Sequence, residues 1–197
     1  MPFIFKRLVL FTSIAAAFAA DKPASFKAAP AASYQYRQTV SQITIAADPY
    51  LSDDKQKTAF GKLKLTDYGI TPILIVIQND SDKAIRLDRI KAEVSGPDRQ
   101  TVEATPAAEV RYLHPVGRPT AIPGPGTKVA VIHKKNPLNE WEIEGRAFAA
   151  QTLAPGQSAY GFFYFQTGLH GESTVLMSGL YEAASGKELL FFEIPLK

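Results

Sequence analysis

Residues 70–79 read ITPILIVIQN, and this run restricts the possible fold more than any other stretch of the chain. Five consecutive apolar residues occupy 73–77, and Ile73, Ile75, Val76 and Ile77 are β-branched. Branching at Cβ restricts χ1 in a helix and suits the surface of a pleated sheet. A strand with one wet face alternates polar and apolar residues, whereas an unbroken apolar run needs cover on both sides. A central strand buried on both faces is therefore predicted here. Asn79-Asp80-Ser81-Asp82-Lys83 follows as a polar turn.

Residues 84–94 contain a change of phase. Ile85 and Leu87 lie in one register, and Ile90, Ala92 and Val94 in the other. A two-residue period cannot flip without an inserted residue, so a bulge or kink is predicted near Asp88-Arg89, where the chain passes between two sheets. Gly96-Pro97-Asp98 makes a turn into residues 100–104. Upstream, residues 34–47 read as a first strand carrying Val40, Ile43 and Ile45. Ser52, Asp53 and Asp54 then start a short helix that Gly61 stops. Residues 106–114 allow a helical turn, 128–133 a short strand, and Asn136-Pro137 an N-cap with Pro at the first helical position. Residues 138–148 fit either a short helix or a strand. Leu153-Ala154-Pro155-Gly156-Gln157 is a turn that launches the aromatic strand AYGFFYFQ at 159–166, and residues 174–181 and 188–196 close a hairpin. Together these features predict an all-β fold, an immunoglobulin-like antiparallel β-sandwich of about seven to nine strands with one or two short helices. A closed barrel is the alternative.

The first twenty residues carry a different signal. Lys6 and Arg7 precede an apolar stretch at 8–18, and Ala17-Phe18-Ala19 places small residues where a signal peptidase reads them. The stretch is too short to span a bilayer comfortably, so residues 1–20 are expected to be a secretory signal cut after Ala19 or Ala20. Residues 21–33, rich in Ala, Pro, Lys and Ser, are expected as a flexible lead-in to a domain at 34–197. The chain has no Cys, which excludes a lipoprotein anchor and leaves stability to core packing. Its net charge is +3, but without Lys6 and Arg7 there are 20 basic residues against 19 acidic. No concentrated basic face is implied, so nucleic acid is not an expected partner, and no membrane span is expected after signal removal.

Two segments carry a family resemblance. Asn79-Asp80-Ser81-Asp82-Lys83-Ala84-Ile85-Arg86-Leu87 resembles the N-x-S-x-K-x-I-x-L segment of many exported bacterial immunoglobulin-like domains. Leu153-Ala154-Pro155-Gly156-Gln157-Ser158, followed by Gly161-Phe162-Phe163-Tyr164-Phe165, resembles their L-x-P-G-Q-S-x-x-G-x-F-x-F segment. The two segments together cover about a ninth of the chain. The resemblance implies a strand–turn–strand at the first segment, a late strand at the second, and an envelope or secreted location. Both motifs are structural, so no catalytic residue transfers with them.

Common catalytic patterns are not met. Gly126-Thr127-Lys128 has the wrong order for a phosphate loop, and Gly156 to Gly161 is one residue too long for a nucleophile elbow. His114, His133 and His170 lack ligand spacing, and no Cys exists to complete a metal set, so no metal or cofactor is expected. On a strand, Glu140, Glu142 and Glu144 would share one face. They could then serve glycoside hydrolysis, or form a solvated edge opposite a buried Trp141 and Ile143. Asn79-Asp80-Ser81 matches a glycosylation sequon, expected unmodified in a chain of bacterial style.

Residues 115–127 (PVGRPTAIPGPGT) hold four Pro and three Gly and are expected as an irregular loop. Long loops are often functional. Arg118, Lys128, Lys134 and Lys135, in or just after this one, form with Trp141 a candidate contact surface. The expected function is a non-catalytic, exported binding or structural module whose partner is another envelope protein or a polysaccharide. A hydrolase using carboxylates near Trp141, or a metal or small-ligand carrier using the histidines, are the alternatives.

Overall fold

A computed structural model describes residues 26–98, 100–114, 120–123, 129–132, 135–169, 171–189 and 191–196. In chain order the strands are β1 (Arg37–Val40), β2 (Ile43–Pro49), β3 (Thr71–Asn79), β4 (Ile85–Arg86), β5 (Lys91–Ser95), β6 (Thr101–Glu103), β7 (Thr120–Pro123), β8 (Val129–Ile132), β9 (Thr152–Leu153), β10 (Ser158–Phe165), β11 (Ser173–Ser178), β12 (Tyr181–Glu182) and β13 (Phe192–Leu196). Three short helices accompany them, where one or two were expected: α1 (Asp53–Phe60), α2 (Ala107–Val110) and α3 (Trp141–Gly145). Sheets β1-β2-β3-β10 and β13-β11-β5-β6 form the two layers of an antiparallel sandwich, and there are also a small β12-β4-β9 sheet and a two-stranded β7-β8 ribbon. The all-β, immunoglobulin-like architecture is the one predicted. The eight strands of the two larger sheets fall within the expected seven to nine, and the short pieces are additional.

The apolar run forms β3, between β2 and β10, and is buried on both faces. Alternation divides it. Ile73, Ile75 and Ile77 point into the core between the sheets, among Val94, Val175, Met177, Phe192 and Ile194. Leu74 and Val76 point the other way, into a second core with Phe60, Leu65, Val110, Ile143, Phe162 and Tyr164. That second core is supplied largely by α1, α2, α3, the 3-10 turn at Leu65–Tyr68 and the outer face of β10. Fully burying a Leu or Val side chain stabilises by about 1.5–3 kcal/mol, which drives the helices onto the sheet.

Local chemistry places these elements. Ser52 caps α1, its hydroxyl accepting from Lys55 N at 3.4 Å, with Asp53 and Asp54 in the first turn and Gly61 at φ 66° closing the helix. The predicted phase break is present: Ile90 N donates to Leu87 O at 3.1 Å, and the chain leaves β4 in the small sheet to enter β5 in the large one. Ile85, Leu87, Ala92 and Val94 all reach the inter-sheet core by this change of sheet.

Four expectations need correction. Residues 34–47 are not one strand. They contain the β1–β2 hairpin, turned by Ser41 and Gln42 at φ 50° and 62°; positive φ at both positions is the geometry of the primed hairpin turns usually made by Asn-Gly. The end of the expected lead-in touches the domain: Ala31 is buried and the Phe26 ring lies 5.4 Å from that of Phe162, while Lys27, Ala29, Pro30, Ala32 and Ser33 are exposed. Part of the expected loop at 115–127 is strand β7, paired with β8 from Thr120↔Ile132 to Pro123↔Val129. Pro is compatible with the end of a two-stranded ribbon, where its missing N–H leaves no ladder incomplete. Residues 138–148 contain α3, which starts at Trp141; Asn136 does not cap it but accepts from Leu138 N at 2.9 Å in a separate turn. The expected signal at 1–20 lies outside the described residues.

Asn79 joins the segments 79–87 and 153–165. Its side chain is fully buried, donating to Lys83 O (2.8 Å) and Leu153 O (3.2 Å) and accepting from Ser81 N (3.2 Å) and Ser81 Oγ (2.6 Å). Its backbone exchanges bonds with the other segment, Asn79 N to Gln157 O and Gly156 N to Asn79 O. A glycan on this amide has no room in the folded domain. Asn79→Ala should lower unfolding stability by about 1–3 kcal/mol for each carbonyl left unpaired. Urea denaturation should show a lower midpoint at unchanged slope; an unchanged midpoint would refute the role given to this side chain.

Candidate functional site

The second core is open at one end. There the rim of the helical cover and the N-terminal segment bound a cleft of about 880 Å³, a volume in the upper part of the usual range for ligand sites. Its aromatic lining is Phe26, Tyr50, Trp141 and Tyr160, and its charged lining is Lys27, Lys57, Glu142 and Arg146.

Strand alternation and a glycine position this lining. On β10, Tyr160, Phe162 and Tyr164 share the outer face. Phe162 and Tyr164 are buried, while Tyr160 at the cleft is 41% exposed. Its hydroxyl donates to Phe26 O at 3.2 Å, and Phe26 meets the Tyr50 and Tyr160 rings edge-on at 6.1 and 6.2 Å. The chain leaving α3 pairs with the free edge of β10: Phe162 N donates to Arg146 O (2.8 Å) and Phe148 N donates to Phe162 O (3.1 Å). Gly161 permits that approach, because a Cβ there would lie 2.3 Å from Phe148 Cα. Tyr164 adds a buried bond from its hydroxyl to Ile143 O at 2.7 Å. Helix α3 is thus fixed to the strand from below and behind.

Trp141, the first residue of α3, is 65% exposed. Its ring lies over Gly145, where a Cβ would come within 2.9 Å of Trp141 Cε3. The Arg146 guanidinium lies 5.2 Å from the Phe26 ring and 6.0 Å from the Trp141 ring, and donates to Thr58 O at 3.3 Å. Cation–π contacts of this kind contribute about 0.5–2 kcal/mol depending on exposure. Arg146 therefore ties together the N-terminal segment, α1 and α3 while keeping its charge at the cleft.

The electrostatics are one-sided. Three cations line the cleft against one carboxylate, and among the described residues none of the three is in an ion pair. Burial, reinforced by the Asp48 charge, raises the pKa of the Tyr50 phenol well above its ordinary range, so it stays neutral.

The predicted contact residues separate. Trp141 is in the cleft, exposed rather than in the core as expected. Lys135 is exposed outside it and pairs with Glu140 at 2.7 Å. Arg118, Lys128 and Lys134 lie outside the described residues. The three glutamates do not share a face: Glu142 and Glu144 lie about 200° apart around α3, with Glu142 lining the cleft and Glu144 pairing with Arg111, while Glu140 precedes the helix in extended conformation and pairs with Lys135. His114 meets the Tyr68 ring edge-on at 5.1 Å. His133 and His170 lie outside the described residues, among which no group of three metal-ligating side chains occurs. Lys27, Lys57 and Arg146 were not singled out from the sequence. The one signal for them is Trp141, Gly145 and Arg146 at helical spacing, which is legible only once residues 141–145 are known to be helical.

A scan against family models and a search of curated proteins return no match to this chain.

Trp141 is the only Trp in the chain, so its emission reports on the cleft alone. Gly145→Ala should displace the ring and shift the emission maximum. Stability should change by no more than about 1 kcal/mol, since Ala is the better helix former. An unshifted spectrum in a folded variant would show that the ring does not rest on Gly145.

Proposed function

We propose that this chain is an exported, non-catalytic immunoglobulin-like module of the cell envelope or secreted fraction, and that it binds its partner in the aromatic cleft. The cleft carries the proposal: exposed aromatic residues and cations that have no ion pair among the described residues sit on a support of strand and helix. Exposed Trp and Tyr with Arg beside them are the side chains most often responsible for binding energy. Export rests on Lys6 and Arg7, the short apolar stretch after them and the Ala-x-Ala at 17–19. The partner is an envelope protein or a polysaccharide.

Binding is favoured over hydrolysis by the positions of the acids. Paired-carboxylate catalysis needs two free carboxyl groups facing one bond. Glu140 and Glu144 are held in ion pairs, and Glu142 alone lines the cleft. The segments that carry the family resemblance meet through Asn79, and their residues serve the sandwich.

Fractionation of producing cells should recover a chain outside the cytoplasm that starts at residue 20 or 21. Trp141→Ala should unfold at the same temperature as the parent and lose binding to purified envelope material that the parent retains without altering. A full-length chain confined to the cytoplasm would contradict export. Turnover of the bound material, abolished by Glu142→Gln, would contradict the non-catalytic assignment.

A further inference from the structure

Resting on that reading of the cleft, we infer that its ligand is an anionic oligosaccharide, a short run of sugar rings bearing carboxylates. Three features of the cleft combine to specify this class.

The first is charge. Lys27, Lys57 and Arg146 line the cleft together with one carboxylate, Glu142, and among the described residues none of the three has an ionic partner. The rest of the chain is close to neutral once Lys6 and Arg7 are set aside, so these cations are not part of a general basic excess. A lining with a net positive charge favours an anion over a cation.

The second is exposed aromatic surface. Trp141 and Tyr160 are 65% and 41% exposed. A pyranose has one face of C–H groups and a rim of hydroxyls, so it can lie on such a ring while its rim stays hydrogen-bonded. A simple inorganic anion would leave those faces unused.

The third is Glu142. A carboxylate beside three cations weakens binding of a pure polyanion. It strengthens binding of a ligand that has hydroxyl donors as well as acid groups, because an ionised carboxylate only accepts hydrogen bonds. Acid groups would meet the cations, hydroxyls would meet Glu142, and the ring faces would meet Trp141 and Tyr160.

Competing ligands fit less well. A peptide that binds by adding to a sheet edge would need the β10 edge, which at the cleft is already paired at Phe162 by residues 146–148. A membrane surface would contact a convex or flat face, whereas these groups line a concavity.

The test follows Trp141 emission during titration of the protein purified from its native compartment. The probes are tetragalacturonate and a hyaluronan tetrasaccharide. The comparators are carboxyl-reduced tetragalacturonate, a tetraglutamate peptide and phosphatidylglycerol vesicles. At least one acidic sugar should produce a saturable change, and tetragalacturonate, where it binds, should bind about tenfold or more tighter than its reduced form. Binding should weaken as salt rises from about 0.05 to about 0.5 M. Lys27→Gln with Lys57→Gln, both exposed positions, should lower the affinity about tenfold at an unchanged melting temperature. Equal binding of the reduced sugar, or binding of the peptide or vesicles alone, would overturn the ligand class and leave the cleft a binding site. Silence with both acidic sugars would also overturn it. Retention on envelope material that survives Trp141→Ala would instead overturn the cleft as the binding site.

Discussion

β3 carries apolar side chains on both faces, and one neighbouring sheet can cover only one of them. The sandwich layer takes Ile73, Ile75 and Ile77. Leu74 and Val76 would face water if nothing else were placed over them, so the remainder of the chain must supply a second cover. It does so with short helices, a 3-10 turn and the N-terminal segment, none of which is long enough to be stable alone. These pieces are held in place by the apolar surface of the sheet, and their own positions follow from it.

The cleft is a consequence of how that cover ends. β10 needs its outer edge closed, and residues 146–148 close it. Gly161 lets that backbone come close enough to bond, and Phe162, Tyr164 and Ile143 fill the space beneath. The same pairing anchors Arg146 at the boundary between core and solvent, with Trp141 on one side and Phe26 on the other. The packing that hides Val76 therefore also presents the charged and aromatic groups through which the protein is proposed to bind.

Much of this architecture was legible in the sequence where one local rule had no competitor. The run at 73–77 admits no one-sided strand, Ser52 and Gly61 bracket a helix, and the register change around Asp88-Arg89 requires a change of sheet. The hairpin at Ser41-Gln42 was not legible, because neither residue is the usual one for positive φ. In α3 the sequence WEIEG alternates as a strand would; burial of Ile143 and the bond from Tyr164 favour a helix instead. That outcome moves Trp141 from the core to the surface and separates the glutamates. Of the site, Trp141 was identified, but its charged neighbours were not. Lys27, Lys57 and Arg146 are distant in sequence and meet only because Phe26 docks against β10.

Native-state hydrogen exchange on the β3 amides tests most directly whether the sheet and its helical cover form one cooperative unit. If they do, the hydrogen-bonded amides of residues 73–77 exchange only by global unfolding, with the free energy that denaturant unfolding gives. Exchange of these amides through a smaller opening, with the helices detaching while the sandwich stays folded, would contradict the dependence of β3 on cover from both sides.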